Sequence, residues 1–332
     1  MQFFKKIPNV DFLGRRKLFY IISVVITVAG LIAAFVRGIE YGIDFAGGTE
    51  VALSFSKPVE IDQVRNAMET GGFRGTEVKS YGGPTQLLVR VENDERQGDA
   101  DTTTSNATRT AERVKATLAS AFRGNDVSIL QSGYISPKIG SELRTQALLG
   151  IVISLVALLL FITIRYEFVL ALGAIIAMIH DVLVTFSFVV ICNGLFGLNL
   201  EMNQGMLAAF LTVVGFSIND TVINYDRVRE NIKLHRGENL LRLINRSINE
   251  TLSRTLLTGI CVILVLLILL FFSGEVLRGF AFTMLIGLIT GTYSSVYIAS
   301  ALAVDVMIAR GRINPKEAKD FQEDVARGVA RA

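Results

Sequence analysis

Residues 18–36 read LFYIISVVITVAGLIAAFV, 19 positions without a charge that follow directly on Arg15, Arg16 and Lys17. A helix needs about 20 apolar residues to cross the hydrocarbon of a bilayer, and only helices and closed barrels satisfy their own backbone there. The stretch is too long for the core of a cleaved leader, and no A-x-A-like exit follows it. It is therefore expected to stay as an anchor, with Lys5 and Lys6 adding to the positive flank that keeps the N-terminus in the cytosol.

Further blocks of the same kind lie at 144–164, 168–190, 204–225, 254–273 and 280–305, so six transmembrane helices are expected. The 332 residues are 51% hydrophobic, and the apolar residues are gathered in blocks, the pattern of a membrane protein. The net charge of +3, left over from 33 basic and 30 acidic residues, gives no ground for nucleic-acid binding. Positive charge is uneven between the blocks. Arg165 follows the second, Arg227, Arg229, Lys233, Arg236, Arg242 and Arg246 follow the fourth, and Arg310, Arg312, Lys316 and Lys319 follow the sixth. The short loops near 193–203 and 273–279 hold only Arg278. The positive-inside rule then gives a multi-pass membrane protein with both ends cytosolic: an N-terminus over 1–17, an amphipathic helix on the membrane surface over 226–253 and a tail over 306–332. Cys192 and Cys261 lie far apart in apolar blocks and read as helix-packing residues.

Residues 37–143 are long enough for a small domain on the outer face. Thr49 to Phe55 alternates as a strand, with Val51, Leu53 and Phe55 on one face. Pro58 to Thr70 has helical spacing, and Thr76 to Tyr81 and Gln86 to Val91 read as strands joined at Gly82-Gly83-Pro84. A polar insertion, Asn93 to Asn106, precedes a second helix over Thr108 to Phe122 and a last strand over Val127 to Tyr134. The order β-α-β-β-α-β is that of a ferredoxin-like α+β sandwich. Pro137 after Ser136 opens the helix that becomes the second span.

Charged and amide side chains inside apolar spans are costly and need partners, so they are the candidate functional residues. His180 and Asp181 fall midway along the third span, Asp220 lies in the fourth with Ser217, Asn219 and Asn224 nearby, and Arg254 opens the fifth. Spans four and five run in opposite directions, which puts Asp220 and Arg254 at a common depth. An acid and a guanidinium there are expected to couple, and protonation of Asp220 would release Arg254 and bias the helix packing. Helix packing without proton traffic is the plainer reading of the pair, and for His180 and Asp181 a hydrogen bond to a neighbouring helix serves equally well. Gly287, Gly291, Ser294, Ser295 and Ser300 suit close packing of the sixth span. No cluster of His, Cys or paired acids at catalytic spacing occurs in the outer domain, so no metal, no cofactor and no hydrolytic chemistry are expected.

Several strings together resemble the SecF family of protein-export membrane proteins, within the resistance-nodulation-division superfamily. They are Gly42 to Gly48 (GIDFAGG), His180-Asp181-Val182, Ser217 to Val222 (SINDTV), Asn249 to Thr255 (NETLSRT) and Gly291 to Ser295 (GTYSS). Ala46, where Thr is usual, and Phe216, where Tyr is common, depart from the pattern. The resemblance implies a partner, SecD, with which the family harnesses the proton motive force late in translocation. It also implies the bacterial plasma (inner) membrane, with residues 37–143 in the periplasm, and the SecYEG channel with its SecA ATPase, YajC, an unfolded preprotein and membrane lipid as surroundings, and it places proton coupling on Asp220 and Arg254. A proton-driven exporter of small molecules or lipids of the same superfamily is the alternative. An aspartyl protease built on Asp181 and Asp220 is disfavoured, because no G-x-G-D string is present and Arg254 would hold Asp220 ionised. A passive scaffold is the remaining reading.

Overall fold

The computed structural model describes residues 7–73, 76–91, 103–166, 168–195, 198, 200–273, 275–314, 317 and 321. Six helical segments are long and apolar enough to cross a membrane. They are α1 (Arg16–Arg37), α5 (Pro137–Arg165), α6 (Phe168–Cys192), α7 (Gln204–Leu234), α8 (Leu240–Phe272), and a sixth made of α9 (Glu275–Ser294), a π-helical turn (Ser295–Ala299) and α10 (Ser300–Ala309). The sixth span, α6 and α7 form the centre, while α1, α5 and α8 turn large apolar side chains such as Phe35, Ile164 and Phe272 outward. An apolar exterior of this kind is what hydrocarbon or a partner's helices require.

Between α1 and α5 the chain forms β1 (Gly48–Phe55), α3 (Ile61–Thr70), β2 (Glu77–Gly83), β3 (Gln86–Val91), α4 (Thr103–Ala121) and β4 (Val127–Ile135), after a short helix α2 (Ile43–Ala46). The four strands lie in the order β2-β3-β1-β4, every neighbour antiparallel, which is the ferredoxin-like arrangement. Val51 faces Val89 across the central pair, and Val51, Leu53 and Phe55 meet Val64 and Met68 of α3 and Val114 and Leu118 of α4 in one buried core. Helix α4 starts at Thr103, within the stretch read as an insertion; the rest of that insertion lies outside the described residues.

No separate surface helix spans 226–253. α7 runs on to Leu234, and α8 has already begun at Leu240. Two residues make the break: Gly237 takes a φ of 95°, which glycine alone adopts without strain, and the Asn239 side chain accepts from the Leu241 amide at 2.9 Å as an N-cap. Leu241, Ile244 and Ile248 are buried against Phe12, Leu13, Met307 and Ile313 within the protein. Asn245 and Asn249, one turn apart on α8, clamp the extended N-terminal segment. Asn245 Oδ1 accepts from the Phe12 amide at 3.0 Å, Asn249 Oδ1 from the Val10 amide at 2.8 Å, and both side-chain amides donate to the Val10 carbonyl.

Candidate functional site

Small residues let the central helices approach closely. A methyl group added at Gly287 would lie 2.2 Å from Val213 Cγ2, and one at Gly291 3.2 Å from Ser217 Cβ, so α9 and α7 meet without room for side chains between them. That approach brings a carboxylate and two hydroxyls from three helices together. Asp181 of α6 is fully buried; its Oδ2 accepts from Ser217 Oγ of α7 and from Ser294 Oγ of α9, the latter at 2.7 Å. Its Oδ1 lies 2.9 Å from His180 Nδ1. The chain of contacts continues from His180 Nε2 to the Tyr293 hydroxyl at 3.1 Å and from there to Ser23 Oγ of α1 at 3.0 Å. One assignment fills every link: His180 donates from Nδ1 to Asp181 and accepts at Nε2 from Tyr293, whose oxygen accepts from Ser23. A carboxylate buried in hydrocarbon is tolerable only with such donors, so Asp181 ties four helices into one polar seam.

A second polar node lies where the sixth span widens into its π turn. The Ser295 carbonyl receives Asn224 Nδ2 of α7 at 3.4 Å and Ser300 Oγ at 3.2 Å, and the Ala299 carbonyl receives the Tyr225 hydroxyl at 3.2 Å. Backbone carbonyls loosened by a π turn need partners of this kind in a membrane. Asn224 Oδ1 in turn accepts from Thr251 Oγ1 of α8 at 2.6 Å.

Asp220 stands apart from both nodes. Its carboxylate is half-buried and has no hydrogen bond or ion pair among the described residues. Arg254 forms no hydrogen bond or ion pair with it among the described residues and is itself exposed on α8. The structure thus places the two on neighbouring helices, α7 and α8, without joining them. Ser217 points away to Asp181, Asn224 to the π turn, and Asn219 lies exposed. Sequence reasoning missed Ser23, and it had Tyr293 and Ser294 only as part of the GTYSS string, with Ser294 as a packing residue; the available signal was that a buried Asp181 must find hydroxyl donors on neighbouring helices.

A family model described as "Protein export membrane protein SecD/SecF, C-terminal" matches residues 114–309, and one described as "SecD/SecF GG Motif" matches residues 32–59. The protein translocase subunit SecF of Calditerrivibrio nitroreducens is 35% identical over 94% of this chain and 99% of its own length. That of Pseudomonas aeruginosa is 33% identical over 96% and 98%. The chain belongs to the SecF family. The crystal structure of SecDF, a translocon-associated membrane protein from Thermus thermophilus, is 33% identical with a TM-score of 0.76, covering 90% of this chain and 39% of that one. A SecDF structure in a super-membrane-facing form gives a TM-score of 0.64 over 94% and 40%. This chain therefore spans about two fifths of those SecDF chains, and it is a multi-pass membrane protein of the Sec system.

In this SecF-family chain the glycine motif shapes the junction between bundle and outer domain. Gly47 and Gly48 take φ values of 75° and 123°, and the Asp44 carboxylate between α1 and β1 accepts from the Gln204 amide at 2.9 Å, beside the Asn203 side chain that also caps α7. Next to it lies a charge cluster that no sequence spacing announced. Lys79 Nζ reaches Glu201 at 2.6 Å, Glu40 at 2.8 Å and Glu77 at 2.9 Å, and Arg90 pairs with Glu201, Glu77 and Glu50. Glu40, Glu77 and Glu201 lie close enough together to hold a metal ion, but the cation they surround is the Lys79 ammonium. Burial pulls the Lys79 ammonium toward neutrality, and the hydrogen bonds it donates to Glu201 and Glu40, with the charge of Glu201, more than reverse that and raise its pKa. For Glu50 burial dominates, and it is pushed above the ordinary carboxylate range despite Arg90.

Proposed function

We propose that this chain, paired with SecD, uses the proton motive force to promote late steps of protein translocation through the SecYEG channel after SecA has driven the preprotein in. Both termini then face the cytosol, the ferredoxin-like domain faces the periplasm and meets the emerging unfolded chain, and YajC belongs to the same assembly. The observation that carries the reading is Asp220, a half-buried carboxylate in a membrane helix with no direct partner among the described residues. An ionised carboxylate at that place needs a countercharge, water or a proton, so its state is open to exchange in a way that the fully bonded Asp181 is not.

Arg254 and Asn219 are exposed on α8 and α7, two helices long and apolar enough to cross a membrane. Exposing a guanidinium to lipid costs about 3 kcal/mol or more, so this face calls for a cover, and the SecD half of the complex supplies it. In the assembled complex Arg254 then lies within a protein interior beside Asp220, where uptake of a proton by Asp220 redirects the guanidinium and shifts helix packing. The Asp181 node keeps α6, α7 and α9 in register while that happens. The test is proton-dependent preprotein export in inner-membrane vesicles carrying the complex. Asp220→Asn and Arg254→Gln are each expected to remove the gradient-dependent part and leave ATP-driven export intact. Full gradient-dependent export by Asp220→Asn would overturn the reading.

A further inference from the structure

At the end of the bundle opposite the outer domain, the α5–α6 turn, the end of α7, the start of α8 and the end of α10 enclose a groove of about 880 Å³. Four cationic side chains ring it: Arg165, Arg229, Lys233 and Arg312. Its floor is apolar, formed by Leu170, Val228, Ile244 and Met307. Of Arg165, Arg229 and Lys233, only Arg165 has an ion pair among the described residues, a long one of 3.9 Å to Asp226, and that carboxylate is already held by the Tyr166 hydroxyl at 2.9 Å. Cations are thus concentrated here over an apolar floor, and among the described residues neither Arg229 nor Lys233 is paired with a carboxylate.

The groove also opens sideways onto hydrocarbon-facing surface. Ile164 on its rim is 87% exposed, and Phe168, Ile232 and Leu234 continue the same outward apolar surface. A ligand that fits must carry negative charge at one end and apolar chain at the other, and must reach the groove from within the bilayer. We infer that the groove binds an anionic phospholipid, its headgroup phosphate among Arg229, Lys233, Arg165 and Arg312 and the upper part of an acyl chain along the apolar floor toward Ile164. Basic pockets between membrane helices bind such headgroups by this combination of charge and depth, and long basic side chains reach them from within the apolar zone. The inference does not depend on proton coupling.

The test uses the full chain purified in detergent and titrated with dioleoyl phosphatidylglycerol or dioleoyl phosphatidylcholine, with bound lipid counted by native mass spectrometry. Phosphatidylglycerol is expected to bind and phosphatidylcholine to bind about tenfold more weakly or worse. Arg229→Gln with Lys233→Gln is expected to weaken phosphatidylglycerol about tenfold, while Lys17→Gln with Arg236→Gln, which removes as much charge outside the groove, leaves it unchanged. Arg165→Gln serves as an independent variant if the double one melts lower. Equal loss in the two double variants would overturn the site, since it would reduce the effect to net charge. Displacement of the lipid by millimolar inorganic phosphate would also overturn it, because the apolar part would then contribute nothing. So would a double variant that keeps its lipid but no longer copurifies with SecD, which would make the groove a protein-docking surface.

Discussion

Asp181 and Asp220 are chemically identical and lie in adjacent helices, yet their surroundings are opposite: one is fully bonded and the other has no direct partner among the described residues. Asp181 is closed on all sides, with Ser217, Ser294 and His180 as partners. Asp181→Ala is expected to strand all three donors in an apolar interior and to cost several kcal/mol, read as a lower melting temperature in nanodiscs, whereas Ser294→Ala costs about 1 kcal/mol. Asp220→Asn breaks no hydrogen bond among the described residues, so the same melting experiment is expected to show little change while gradient-driven export is lost. A fall in stability as large as that of Asp181→Ala would mean that Asp220 is structural. The sequence singled out both acids because charge in an apolar span is conspicuous, but which one was satisfied and which was not depended on hydroxyls carried by other helices.

Among the elements, the glycines separate crowded helix faces from open ones. A side chain at Gly30 would meet the Ser187 backbone, its Cβ 2.4 Å from Ser187 Cα, so α1 leans directly on α6 there. Gly30→Val is expected to cost about 1–3 kcal/mol and to loosen α1, measured as weaker cross-linking between cysteines placed on α1 and α6. Gly150 on α5 has nothing within 4 Å of an added Cβ, and Gly150→Ala is expected to be neutral or to stabilise by up to about 1 kcal/mol through helix propensity. Element type and order were legible in the sequence, since apolar run length and alternation are local properties. The stretch 226–253 was not, because its amphipathic spacing suits a membrane surface as well as a protein interior; the cap at Asn239 and the N-terminal segment held by Asn245 and Asn249 decided for the interior.

At the scale of the whole molecule, the charge cluster around Lys79 and Arg90 fastens the outer domain to the bundle, since Glu201 comes from the α6–α7 loop and Glu40 from the segment that follows α1. Lys79→Met is expected to leave Glu40 without its ion pair, with Arg90 alone to balance Glu77 and Glu201, and to undock the domain, visible as faster hydrogen exchange in β2 and in 200–203. The pH dependence follows from the carboxylates. Burial raises Glu40, but the Lys79 hydrogen bond and charge outweigh it and its pKa is lowered. Its contribution is therefore complete above the ordinary carboxylate range and is lost as pH falls through the lowered value. Glu50, raised, has the opposite sign and takes up its proton first, which relieves its repulsion with Glu201. Docking should thus persist from neutral pH down into the ordinary carboxylate range and fail below it, with the same exchange measurement as readout.

The sequence by itself determined the membrane class, the number of spans and the β-α-β-β-α-β order, because lipid and pleated strands impose rules that act within about 20 consecutive residues. Only tertiary structure decided which polar groups meet. Ser217 and Asp181 are 36 positions apart, Ser294 and Asp181 113, and Lys79 and Glu201 122. No local rule reaches that far, and those pairings exist only because glycine-lined helices close on one another and carry their hydroxyls and charges into contact.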